Sequence, residues 1–132
     1  MNPTRSRQTQ SLHDSIVKAR ARQLADKGYS VSADAEGYPK PQEFYGHIPD
    51  IVATGVRGLI CEVETCDTCF DPRTRDQLRA FSSSADYLLE VVVPEAFYED
   101  AKQQIENIWK ITVDFWRTYE EQNGFRPSPA IR

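Results

Sequence analysis

The stretch Gly46-His47-Ile48-Pro49-Asp50-Ile51-Val52, followed by Leu59-Ile60-Cys61-Glu62-Val63-Glu64-Thr65, decides how this chain is read. Two short apolar runs flank the turn Gly55-Val56-Arg57-Gly58. That is the pattern of a β-hairpin, so strands over 48–53 and 59–64 are predicted to pair antiparallel. Side chains alternate faces along a strand, so Ile48, Asp50 and Val52 point one way, and Ile60, Glu62 and Glu64 point together. If the hairpin sets Asp50 opposite the two glutamates, three carboxylates converge. Like charges that close raise each other's pKa. A hard, oxygen-seeking divalent cation, Mg²⁺ or Mn²⁺, relieves the repulsion.

Outward from the hairpin the elements alternate. Upstream, Leu12, Ile16, Val17, Ala21, Leu24 and Ala25 recur at helical spacing and Gly28 supplies a stop. A short strand over 29–34 follows, then a loop over 35–45 carrying Gly37, Pro39 and Pro41. Downstream, a helix over 74–84 turns Leu78 and Phe81 inward. Residues 87–93, Tyr-Leu-Leu-Glu-Val-Val-Val, form the near-continuous apolar run of a strand buried on both faces. Pro94 opens a helix over about 95–109 with a stripe of Phe97, Ala101, Ile105 and Ile108. Ile111, Val113 and Phe115 alternate as a final edge strand. Trp109 and Trp116 read as packing residues. The expected organisation is a flexible arm over 1–10, one α/β domain over 11–119 with a mixed central sheet flanked by helices, and an irregular tail over 120–132.

Composition agrees with a single soluble domain: 132 residues, 39% hydrophobic and 27% charged. The longest apolar run falls well short of the roughly 20 residues that span a bilayer. The polar N-terminal stretch has no apolar signal core, so a cytoplasmic protein without membrane contact is expected. Cys61, Cys66 and Cys69 read as free thiols; Cys66 and Cys69 are spaced C-x-x-C, but no second pair completes a zinc site. Net charge is −4, which speaks mildly against nucleic acid. The distribution is more favourable, with Arg5, Arg7, Lys18, Arg20, Arg22 and Lys27 near the start and Arg73, Arg75 and Arg79 after the acidic motif.

Pro49-Asp50, eleven intervening residues and Glu62-Val63-Glu64 resemble the motif of the PD-(D/E)XK nuclease-like superfamily. The predicted element order over about 11–94 is similar to that superfamily's restriction endonuclease-like αβββαβ core. Gln77-Leu78-Arg79-Ala80-Phe81 resembles the Q-x-x-x-Y motif of RecB-type members, with Phe for Tyr. The resemblance implies that Asp50, Glu62 and the carbonyl of Val63 hold Mg²⁺ or Mn²⁺. Glu64 stands where the family has Lys. A carboxylate there cannot balance negative charge, but it can bind a second ion or act as general base. Lys40, or failing that Arg57, is the candidate for the missing positive charge.

The function expected on this basis is metal-dependent hydrolysis of phosphodiester bonds, in DNA rather than RNA, by a chain able to form a homodimer. Asp50, Glu62, Glu64 and Gln77 would be the catalytic group. Arg73, Arg75, Arg79 and Lys40 would meet the substrate backbone, a contact without sequence information. Three alternatives stand beside it. One is a catalytically inactive nuclease-fold domain that binds nucleic acid or protein. Another is a module whose working part is the cysteine loop. In the third, Glu62 and Glu64 are simply the wet side of a sheet. His13 and His47 read as bystanders rather than proton shuttles.

Overall fold

The computed structural model describes residues 4–121, so most of the expected tail over 120–132 lies outside the described residues. In chain order the elements are α1 (Arg7–Asp26), β1 (Ser30–Ala33), β2 (Ile51–Thr54), β3 (Gly58–Val63), α2 (Pro72–Ser82) and β4 (Tyr87–Pro94). A helical segment then changes pitch twice, from a 3-10 turn at Glu95–Phe97 through α3 (Tyr98–Lys102) to a π turn at Gln103–Ile108, before β5 (Phe115–Tyr119). The first six elements follow the αβββαβ order.

The sheet has five strands in the order β1-β2-β3-β4-β5. Its first half is antiparallel, β1 with β2 and β2 with β3. Its second half is parallel, β3 with β4 and β4 with β5. Parallel neighbours need a crossover, and α2 and the α3 segment supply the two. Helix α1 covers one face, packing Ile16, Val17, Ala21 and Leu24 against Ile51, Ala53, Cys61, Val63 and Val92. On the other face, Leu78 and Phe81 of α2 and Ala101 and Ile105 of the α3 segment close over Val52, Ile60, Leu89, Val91 and Val93. Val92 thus belongs to one core while Val91 and Val93 belong to the other, which is why β4 is apolar throughout.

Three boundaries depart from expectation for local reasons. Helix α1 begins at Arg7 rather than near Leu12, because Ser6 caps it: the Ser6 Oγ accepts from the Thr9 N–H at 3.1 Å. At its far end Gly28 takes φ +96°, the left-handed conformation that stops a helix. Strand β2 begins at Ile51, since Pro49 has no N–H to give to a ladder. The last strand starts at Phe115, not Ile111. The Ile111 N–H still bonds back to the Ile105 carbonyl at 3.0 Å, so the chain is finishing a helical turn there. Ile111 and Val113 are buried in the core instead.

Candidate carboxylate site

Cα pairing of Ile51 with Cys61 continues one step back to set Asp50 across from Glu62. The two residues interlock. The Asp50 N–H donates to Glu62 Oε1 at 2.7 Å, and the Val63 N–H donates to Asp50 Oδ2 at 2.8 Å. Each carboxylate therefore holds the other strand's backbone just where the antiparallel ladder ends. Glu64 lies one residue past β3, steered by its own backbone: its N–H donates to the Val92 carbonyl, and its carbonyl accepts from the Tyr119 hydroxyl, both at 2.8 Å. Its side chain turns toward the loop before α2 and the first turn of that helix, where Oε1 accepts from Thr68 Oγ1 at 2.8 Å and Thr74 Oγ1 at 3.4 Å. The other oxygen, Glu64 Oε2, is buried without a hydrogen-bond partner.

The electrostatics follow from that crowding. Burial pushes the Glu62 carboxyl well above its ordinary range, and the charges of Asp50 and Glu64 add to the shift. Burial likewise lifts Glu64, up to about 7, against the pull of Arg5 and the Thr68 hydroxyl. Buried carboxylates that repel one another are a strained arrangement that a cation relieves.

Two basic residues stand closest. Arg5 donates from Nη2 to the Val63 carbonyl at 3.1 Å and from Nε to Thr65 Oγ1 at 3.2 Å; its Nη2 lies 3.8 Å from Glu64 Oε1. His13, buried on α1, sets Nε2 3.1 Å from Asp50 Oδ2, off line for a good hydrogen bond, and Nδ1 3.1 Å from Asp14 Oδ1. Burial lowers the His13 pKa, but the Asp50 carboxylate outweighs it and the net shift is upward. His13, read from sequence as a bystander, is thus in contact with Asp50. It shares the inner stripe of α1 with Ile16, Val17 and Arg20, and a histidine on an apolar stripe beside an arginine was the available signal. Arg5 left no local signal, because its partners lie about sixty positions along the chain.

The remaining predicted residues divide. Gln77 is buried on the inner face of α2, one turn beyond Thr74. Arg73 pairs with Asp71, and Arg75 with Asp76. Arg79 donates to the Trp109 carbonyl at 2.8 Å, tying α2 to the end of the π turn. Lys40 lines a hollow with Gln10, Asp14, Lys18 and Glu36, while Arg57 lines one at the opposite end of the sheet with Arg20, Lys27 and Arg117. Among the described residues, no ion pair joins Lys40 or Arg57 to the carboxylates, and the cation in contact with Glu64 is Arg5. Cys61 and Cys69 are buried and Cys66 is exposed, all three as free thiols. His47 meets the Phe81 ring edge-on, 6.3 Å between centroids.

The donor chemistry fits a hard divalent ion: three carboxylates, a backbone carbonyl between two of them, and one buried oxygen with no partner. Among the described residues, however, no three His, Cys, Asp or Glu side chains are spaced as ready-made ligands. Asp50 and Glu62 are instead committed to backbone N–H groups, and Arg5 lies on the carbonyl. Also among the described residues, no helix is long and apolar enough to cross a membrane.

No family model and no curated protein matches this sequence. A solved structure, an XisH family protein from Nostoc punctiforme PCC 73102, is similar to it with a TM-score of 0.46 and 18% identity, over 87% of this chain and 96% of that one.

Proposed function

We propose that this chain is a PD-(D/E)XK-type phosphodiesterase that hydrolyses DNA with the help of Mg²⁺ or Mn²⁺. The observation that carries the proposal is the interlocked pair Asp50–Glu62 at the end of the hairpin, with Val63 between Glu62 and a third buried carboxylate. The αβββαβ order around it supports the same reading. Asp50, Glu62 and the Val63 carbonyl would hold the ion. When bound, such an ion polarises the phosphate and lowers the pKa of water. Glu64 stands where the family has Lys and would take a proton from the attacking water. Gln77, buried on the adjoining helix, orients the scissile strand, and Arg73 and Arg75 at the outer end of α2 face the phosphate backbone.

One observation favours a second reading, an inactive domain of this fold that binds nucleic acid or protein. The positive charge at the site is a tethered arginine on the carbonyl that would ligate the ion. Cleavage assays on supercoiled plasmid and on single- and double-stranded oligonucleotides, with Mg²⁺ or Mn²⁺, separate the two. The expected result is nicking by the native chain that drops by about a hundredfold or more in Asp50→Ala and Glu64→Ala. Cleavage persisting in both variants would sink the site assignment, and binding without cleavage would favour the second reading.

A further inference from the structure

We propose that Arg5 is a built-in cation that competes with a divalent metal ion for the carboxylate site, so that metal binding frees the segment 4–9 from the loop after β3. The inference rests on the metal-site reading and adds to it a regulatory role for the N-terminal segment.

Arg5 is not a surface side chain that happens to lie near acids. Its side chain is only 10% exposed, and it spends its donors on the two atoms that flank Glu64, the Val63 carbonyl and Thr65 Oγ1. A guanidinium is charged at every accessible pH, so it offsets part of the negative charge of the carboxylates whether or not a metal is present. The segment behind it is latched. Asp67 accepts from the Ser6 N–H at 3.0 Å, from Thr9 Oγ1 at 2.6 Å and from Thr65 Oγ1 at 2.5 Å. Those bonds hold the Asp67 carboxyl below its usual range. The latch thus joins the first turn of α1 to the residue that anchors Arg5.

Metal and arginine exclude each other by charge and by place. Mg²⁺ takes its oxygens at about 2.0–2.1 Å. An ion drawing on the Val63 carbonyl would sit within a few ångströms of a guanidinium already bonded to that oxygen. Both satisfy the same excess of negative charge, and as like charges a few ångströms apart each weakens the other's hold on the site. Binding is therefore linked to undocking: whatever loosens Arg5 tightens the metal, and the reverse holds by the same amount.

The test uses the full chain and Mn²⁺ alone. Isothermal titration measures Mn²⁺ affinity for the native protein, Arg5→Ala and Asp67→Asn, while hydrogen exchange follows amides 5–10. The proposal expects Arg5→Ala to tighten Mn²⁺ by about tenfold or more. Asp67→Asn, which keeps the arginine but weakens its latch, shifts affinity the same way by less. Saturating Mn²⁺ strips protection from amides 5–10 in the native chain. Unchanged or weaker Mn²⁺ binding in Arg5→Ala, with the native protein still binding, overturns the competition and leaves the metal site standing. No Mn²⁺ binding by any of the three overturns both.

Discussion

Glu64 concentrates the chemistry of this molecule in one side chain. It is 1% exposed, one of its oxygens has no hydrogen-bond partner, and its pKa stands near 7 against an ordinary 4.5. A carboxyl whose folded pKa is raised binds its proton more tightly in the native state. Its contribution is fully present below about pH 4.5 and is lost as pH rises through 7. In metal-free buffer, the native protein is expected to lose on the order of 3 kcal/mol relative to Glu64→Gln across that window. Denaturant midpoints from pH 4 to 8 for the two proteins, subtracted, isolate this effect from Glu62 and His13, which titrate in the same direction. A difference that stays flat with pH, or that grows in favour of the native protein as pH rises, contradicts the assignment. At this scale the sequence was half legible. Strand parity put Glu62 and Glu64 on one face and allowed Asp50 to meet them, and the register of the hairpin then set Asp50 across from Glu62. Arg5 reaches the site by tertiary contact that nothing in its immediate neighbours announces, and His13 left only its place on the inner stripe of α1 as a sign.

Helices and strands were easier to locate than to bound. β4 announced itself by three consecutive valines, and α1 by its apolar stripe. Their ends depend on single bonds that periodicity does not encode: a Ser6 cap, a proline without a donor, a helix that widens into a π turn before it stops. Arg79 belongs to this scale. Read from sequence as a phosphate contact, it instead holds the carbonyl at the end of the π turn, and so binds one crossover helix to the other. Arg79→Ala should therefore destabilise the fold by about 1–2 kcal/mol, the cost of stranding a partly buried carbonyl. Its affinity for DNA should match that of the native protein, whereas Arg73→Ala weakens binding. Thermal melts and filter binding on both variants decide between a structural and a substrate role.

Across the whole molecule, one buried charge cluster spans the layers. Glu90 of β4 accepts from Arg20 Nε and Nη2 of α1 at 2.8 and 2.9 Å and from Arg117 Nε of β5 at 2.9 Å. Burial alone would raise its pKa, but the two guanidiniums pull it below the ordinary value of 4.5. The sign is opposite to that of Glu64: the stability is present above about pH 4.5 and disappears as pH falls through the lowered folded value. Glu90→Gln leaves two arginines, 3% and 8% exposed, without a counter-charge. It should cost about 3–5 kcal/mol near neutral pH, and the acid limb of the stability profile due to this residue should vanish. Equilibrium unfolding of the variant against the native chain at pH 3 to 8 checks both. Nothing local foretold this brace. The alternation of β4 put a glutamate among valines, and only the fold shows which arginines answer it.

Tyr119, near the end of the described chain, gives its hydroxyl to the backbone of Glu64, while Arg5, near the beginning, holds the carbonyl just before it. Both ends of the described residues are thus handles on the same few atoms. A fluorophore attached beside Arg5 or beside Tyr119 is a modification of the carboxylate centre rather than a neutral label. Chains labelled beside Arg5, beside Tyr119 and at neither should differ in Mn²⁺ affinity before any carboxylate is mutated.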